Sequence, residues 1–371
     1  MLGLYIHTPF CEKVCDYCDF SVLSAPDRLL DEYLELLAVE MQLLFKRFPD
    51  FTQKFQTIYW GGGTPSILNA KRQNKIFDML WSHGVGVENL KEFSMELNPE
   101  SCSQEVVENA IQNGVNRFSL GIQSFKEHLL QKVGRAHSVK TALVALEYLE
   151  SLRSQGISVS VDLMFNLPGQ SVEDFLEDLE FLVKKPIDHI SFYGLTVASN
   201  TALGTKIKRG ELFVDDNLYA EMYLQGVKIV ENNGFKRYET SNFAKIGKES
   251  LHNQNYWDRG FYLGLGPGAH SFVGNTRFFA PESYAQWRSW VQADCPEKAL
   301  NKDELDFEAI RTESIWLGLR CSKGFDLQKV KVSASKLKKW TDKGMLQIRN
   351  NRVSLRDEGW ILMDRIVQDL L

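Results

Sequence analysis

The sequence predicts an α/β fold in which a partial barrel of six βα units precedes a smaller C-terminal α+β domain of winged-helix type. Three observations carry that prediction. Short β-prone runs recur at residues 3–7, 56–60, 92–97, 117–122, 157–165 and 189–194. Helix-length segments separate them, and parallel strands need crossovers of about a dozen residues or more. After about residue 200 the rhythm changes, and residues 323–371 read as helix, hairpin, helix.

Taken in order, the first helix should span 28–45, with Leu30, Tyr33, Leu34, Leu37, Met41 and Leu44 at three- and four-residue steps and Asp27 as its cap. Three of the strands alternate: Phe93, Met95 and Leu97 against Ser94, Glu96 and Asn98; Phe118, Leu120 and Ile122 against Ser119, Gly121 and Gln123; Val159, Val161 and Leu163 against Ser160, Asp162 and Met164. The two-residue period of a strand turns the apolar row to the helices and the polar row to the barrel interior. A closed TIM-type barrel fills its interior with branched apolar residues, so polar inner rows point to an incomplete barrel holding a polar ligand. A helix near 215–233 leads to 235–242, a glycine- and aromatic-rich stretch at 252–272 and a helical pattern at 305–319. In the last segment, 346–348 and 353–355 flank an Asn350–Asn351 turn. The expected division is 1–235 for the barrel, 236–300 for a connecting region and 301–371 for the C-terminal domain.

A length of 371 residues suits about two domains. Hydrophobic residues at 44% and charged residues at 25% match a folded soluble chain and exclude disordered, collagenous and membrane-spanning classes. With 43 basic and 48 acidic side chains, the net charge of −5 does not favour nucleic acid or an anionic membrane. Residues 323–371 hold eleven Lys/Arg and six Asp/Glu without aromatic–basic interleaving, so they read as a structural cap or partner surface rather than a DNA reader. No apolar run of ~18 residues suggests a transmembrane segment, and residues 1–14 lack a signal-peptide core. The chain is expected to be cytoplasmic.

Cys11, Cys15 and Cys18 cluster, while Cys102, Cys295 and Cys321 are scattered and read as packing residues. The Cys-x3-Cys-x2-Cys run follows the first strand directly, on a loop at the end where barrels build their sites. Three thiolates suit an iron–sulfur cluster or a soft metal. They equally suit a structural zinc site completed by a fourth ligand such as His7. Structural zinc sites close with four protein ligands, and no second cysteine pair follows at usable spacing. That leaves one coordination position for an exogenous ligand.

With Tyr17 before the third cysteine, this spacing resembles the signature of radical S-adenosylmethionine (SAM) proteins, in which three cysteines hold a [4Fe–4S] cluster and SAM chelates the fourth iron. Gly61-Gly62-Gly63-Thr64-Pro65 at the end of the second strand strengthens the likeness, since glycines let backbone groups approach the amino acid end of SAM. The resemblance runs from residue 5 to about 270 and points to the coproporphyrinogen-dehydrogenase-like branch, whose opening Tyr5-Ile6-His7-Thr8-Pro9-Phe10-Cys11 matches. It implies SAM contacts from Tyr5, Tyr17, Gly62, Gly63, Thr64, Glu96, Gln123, Arg135 and Asp162, with Arg135 on a loop after its strand.

The dehydrogenases of that branch carry another cysteine two residues after the third and a long arm before the tyrosine. Here Phe20 and four residues stand in those places. Both departures resemble the branch's haem-chaperone family, as does His252-Asn253-Gln254-Asn255-Tyr256-Trp257, which is similar to its HNxxYW motif. An imidazole can ligate haem iron while aromatic rings cover the macrocycle, so the likeness implies haem binding at His252, Tyr256 and Trp257. His270 reads more readily as a structural histidine. The Gly264–Gly268 run lacks the strand–turn–helix spacing of a dinucleotide fingerprint. The implied function is a haem chaperone carrying a [4Fe–4S] cluster and SAM on a scaffold able to cleave SAM. It would pass haem to acceptor haemoproteins, membrane cytochromes among them, with peripheral association at the inner face of the cytoplasmic membrane. Two alternatives stand beside it: an oxygen-independent coproporphyrinogen III dehydrogenase and a zinc-stabilised winged-helix regulator.

Overall fold

The computed structural model describes residues 1–24, 26–297 and 300–371. Six parallel strands lie side by side: β1 (Leu2–Thr8), β2 (Thr57–Gly62), β3 (Glu92–Leu97), β4 (Arg117–Gln123), β5 (Ser158–Phe165) and β6 (His189–Gly194). Helices α1 (Asp27–Arg47), α2 (Ala70–Ser82), α3 (Gln104–Gln112), α4 (Glu127–Lys132), α5 (Val139–Ser151) and α6 (Val172–Leu182) connect them. The partial (β/α)6 barrel is therefore as the sequence predicts. Phe93, Met95, Phe118, Leu120, Ile122, Val159, Val161 and Leu163 are all buried in the core, as their alternation requires.

One detail of the first helix differs. Pro26 occupies the cap position without a side-chain hydrogen bond, and Asp27 is the first helical residue. Its exposed carboxylate is drawn instead to Arg72 of α2 (2.8 Å), which also grips Asp31 (3.0 Å).

The sheet also grows beyond the predicted strands at both edges. After α7 (Ala202–Lys208) and α8 (Asn217–Asn232), β8 (Asn242–Ala244) adds antiparallel to β6, and β7 (Lys236–Arg237) pairs antiparallel with β8 at the edge. The stretch 252–272 contains α9 (Leu251–Trp257), β9 (Phe261–Leu265) and the start of β10 (His270–Val273). β9 runs parallel to β1, pairing Leu2 with Phe261 and Ile6 with Leu265, so the parallel array has seven members. Five glycine-containing residues with no polar–apolar alternation gave β9 little strand signal. β10, β11 (Thr276–Phe279) and β12 (Asn301–Glu304) continue that edge, and α10 (Tyr284–Gln292) packs against α1.

Beyond α11 (Phe307–Arg320), β13 (Phe325–Asp326), α12 (Ala334–Asp342), β14 (Leu346–Arg349), β15 (Arg352–Leu355) and α13 (Met363–Leu370) form the helix–hairpin–helix unit. Asn350 and Asn351 have φ of +50° and +62°, as a tight hairpin turn demands. No helix among the described residues is long and apolar enough to cross a membrane.

Candidate functional site

β1 delivers the chain to its C-terminal end, where buried Phe10 anchors the loop that follows. Hydrogen bonds from Cys11 N–H to Leu23 O (2.9 Å) and from Asp16 N–H to Val133 O (3.0 Å) fix the loop against its neighbours. Lys206 of α7 holds it by pairing with the Asp16 carboxylate at 2.6 Å.

Cys11, Cys15 and Cys18 all line one cavity of about 160 Å³. Tyr17 of the same loop lines it too, with Gly62, Gly63, Glu96, Gln123, Arg135 and Asp162 from four further strands and the loop after α4. Thr64 stands just behind, donating to Cys11 Sγ (3.4 Å) and accepting from Asn98 (2.8 Å). The glycines are required by close approach: a Cβ at Gly63 would lie 2.6 Å from Phe10 O and 3.0 Å from Cys11 Sγ, and Gly62 has φ of +111°.

Each polar residue of the inner row is held in place. Tyr59 OH and Gly62 N–H donate to the two Glu96 oxygens at 2.7 and 3.0 Å. Burial, aided by the nearby Asp162 carboxylate, pushes Glu96 up to about 7. Burial also raises Asp162, against the hydrogen bond from Ser119 at 3.1 Å. Arg135 donates to Gly121 O (2.7 Å) and Asn98 (2.9 Å), reaches Cys15 Sγ (3.4 Å), and keeps a buried Nε without a partner. Gln123 sits at a register shift in β4 with φ of +71°, a strained bulge of the kind found beside active sites. Burial pushes the Cys11 thiol up to about 11 and raises Cys18. Thiols in such a site become ligands when a cationic centre displaces their protons. Three sulfurs, an orphaned guanidinium nitrogen and a side-chain-free glycine edge fit an iron–sulfur cluster with a polar, carboxylate-bearing ligand beside it.

A second cavity of about 560 Å³ adjoins the first, and Phe20 of the cysteine loop lines both. Tyr5 lines this cavity and not the thiol one; its OH is 2.9 Å from His7 Nδ1, and its ring stacks on Tyr59 of β2 with centroids 6.3 Å apart. His7 also lines this second cavity, with its Nδ1 engaged by the Tyr5 hydroxyl. Tyr256 and Trp257 also line it.

His252 does not. Its ring is buried at the N-terminal end of β1 and β2, hydrogen-bonded through Nδ1 to Thr57 (2.9 Å) and through Nε2 to Tyr256 OH (2.7 Å). Burial lowers it to about 3. The expectation that His252 ligates iron therefore meets a ring with no free nitrogen in this conformation. What it does here is hold Tyr256 in the cavity wall.

Tyr193, which belongs to no motif, also lines the thiol cavity and donates to Gln123 Oε1 at 3.1 Å. The strand period marks it, since His189, Ser191 and Tyr193 form the polar row of β6 against Ile190 and Phe192. Asn98 and Ser119, noted as inward polar residues, also line the cavity.

Residues 5–182 match the Radical SAM superfamily, which implies a [4Fe–4S] cluster and SAM. The chain is 31% identical to the haem chaperone HemW of Lactococcus lactis, over 99% of this chain and 96% of that one. It is 32% identical to the HemW of Bacillus subtilis, over 99% and 98%. The solved coproporphyrinogen III oxidase HemN of Escherichia coli superposes with a TM-score of 0.85 at 21% identity, covering 100% of this chain and 89% of that one, and so shares its fold. With its cysteine loop, its glycine edge and full-length identity of this order, the chain belongs to the HemW family of radical SAM proteins.

Proposed function

We propose that this chain is a haem chaperone: it binds haem and passes it to acceptor haemoproteins, on a scaffold that holds a [4Fe–4S] cluster through Cys11, Cys15 and Cys18. The observation that carries the reading is the pair of adjoining cavities sharing Phe20, one lined by three thiols and a polar row, the other by aromatic rings. The second, at about 560 Å³, falls within the ~300–1,000 Å³ of small-molecule sites. Its rings offer flat apolar faces to a macrocycle. In the first, Tyr17, Gly62, Gly63, Thr64, Glu96, Gln123, Arg135 and Asp162 would receive SAM, with Tyr5 reaching it from the neighbouring cavity. The cluster would supply a redox-active iron with a vacant position; the polar row would orient the ligand and exclude water. The division into 1–235, 236–300 and 301–371 assigns the barrel, the HNxxYW region and a covering domain. Function in the cytoplasm, with peripheral contact at membranes that carry cytochromes, completes the proposal.

Anaerobic purification followed by iron, sulfide and haem analysis tests it. The expected result is brown protein that binds haem in a spectral titration and, given porphyrinogen, SAM and an electron donor, forms no protoporphyrinogen. Clear porphyrinogen oxidation would overturn the chaperone reading, and colourless zinc protein would overturn the cluster.

A further inference from the structure

The second cavity contains an imidazole in a different state from His252. His270 opens β10 at the cavity wall, is exposed to it, and stacks on Phe279 with centroids 4.4 Å apart and planes 20° from parallel. Neither ring nitrogen enters a hydrogen bond among the described residues, whereas His7 is engaged by Tyr5. Partial burial, then Arg277, lower its proton affinity, which favours the neutral ring with one nitrogen free to act as a ligand.

Opposite charges are unevenly matched in the same wall. Arg259 and Arg277 share the single carboxylate of Glu313 at 2.6 and 2.5 Å, and each guanidinium lies 5.4 Å from the Phe272 centroid. Two cations against one anion leave positive charge in excess, and Arg259 Nη2 is buried without a partner. Guanidinium groups pair with carboxylates in a planar fork, so unspent donors here suit an anionic, carboxylate-bearing guest.

Resting on the haem reading above, we infer that His270 is the protein ligand to haem iron in this cavity and that Arg259 and Arg277 receive the propionates. The rings of Tyr256, Tyr262, Phe272 and Trp316 supply apolar cover. Phe20 then lies between the macrocycle and the thiol cavity, which sets the cargo beside the cluster without mixing the two sites. The HNxxYW histidine acts one step removed, by fixing Tyr256.

The test is a haem titration of the full chain by absorption, with wild type, His270→Ala, His252→Ala and His7→Ala in parallel, each checked for native circular dichroism. His270→Ala is expected to bind haem at least about tenfold more weakly and to lose the imidazole-ligated Soret band. Imidazole added to His270→Gly is expected to restore that band on protein recovered by gel filtration. Arg277→Ala should weaken binding while leaving the band position unchanged, because it changes the anchoring and not the ligand. If wild type binds haem and His270→Ala keeps its affinity and band, or if the band is lost only with His252 or His7, the assignment is wrong. If wild type binds no haem, the chaperone reading itself fails instead.

Discussion

Gly63 shows how little room the cysteine loop leaves. A single added methyl would press on Phe10 O at 2.6 Å, a backbone atom in a chain segment pinned on both sides. Gly63→Ala should therefore fold yet return clearly less iron and sulfide per chain after anaerobic reconstitution; wild-type content would show that the loop can give way. Glu40 makes a second prediction. It is buried in α1, accepts from Gly266 N–H (2.8 Å) and Trp287 Nε1 (3.1 Å), and is pushed by burial up to about 7 from an ordinary 4.5. A carboxyl whose folded value lies above its unfolded one holds its proton more tightly when folded. Its contribution to stability is complete below about pH 4.5 and is lost as pH rises through about 7. Glu40→Gln keeps an acceptor and cannot titrate. Its Tm relative to wild type should thus rise between about pH 4.5 and 7 and level off above, and a constant difference would remove Glu40 from that role.

At the scale of elements, α9 matters most, because it carries the HNxxYW motif and has only seven residues. A helix so short cannot stand alone and depends on its seat. Buried Glu92 at the start of β3 supplies that seat, accepting from Leu251 N–H (2.7 Å), His252 N–H (3.1 Å) and Ser250 OH (3.1 Å). Removing the carboxylate strands donors in the core. Glu92→Ala should cost about 3 kcal/mol in denaturant unfolding, and a loss under about 1 kcal/mol would mean that α9 is held by its side chains alone. The cysteines and the glycine edge were legible in the sequence because their chemistry depends on spacing along a few residues. His252 was not, since its environment is set by Thr57, a residue 195 positions away. The adjacency of β9 to β1 was hidden for a similar reason: the pairing joins residues more than 250 apart, and five residues carry no partner information.

Across the whole molecule, one continuous apolar core runs from Leu2 through the barrel to Ile366, Val367 and Leu370 of α13. The same twelve-stranded sheet spans the expected boundary at 235/236, through β8 beside β6 and β9 beside β1. Elements that share a core lose their contacts together. Thermal unfolding of the intact chain is therefore expected as one transition, with coincident midpoints by circular dichroism and by tryptophan fluorescence. Trp60 and Trp81 report on the barrel, and Trp340 and Trp360 on the C-terminal unit. A separate, earlier fluorescence midpoint would show that the C-terminal unit melts independently.

The βα order, the thiol trio, the glycine edge and the polar inner rows are legible from residue order alone, because each is written in short-range spacing and strand period. The assembled fold settles which histidine faces a cavity and which is sealed beneath the barrel, and that Phe20 stands between the two sites. A side chain's burial and free valences are fixed by neighbours brought in from distant strands, and no local pattern encodes them.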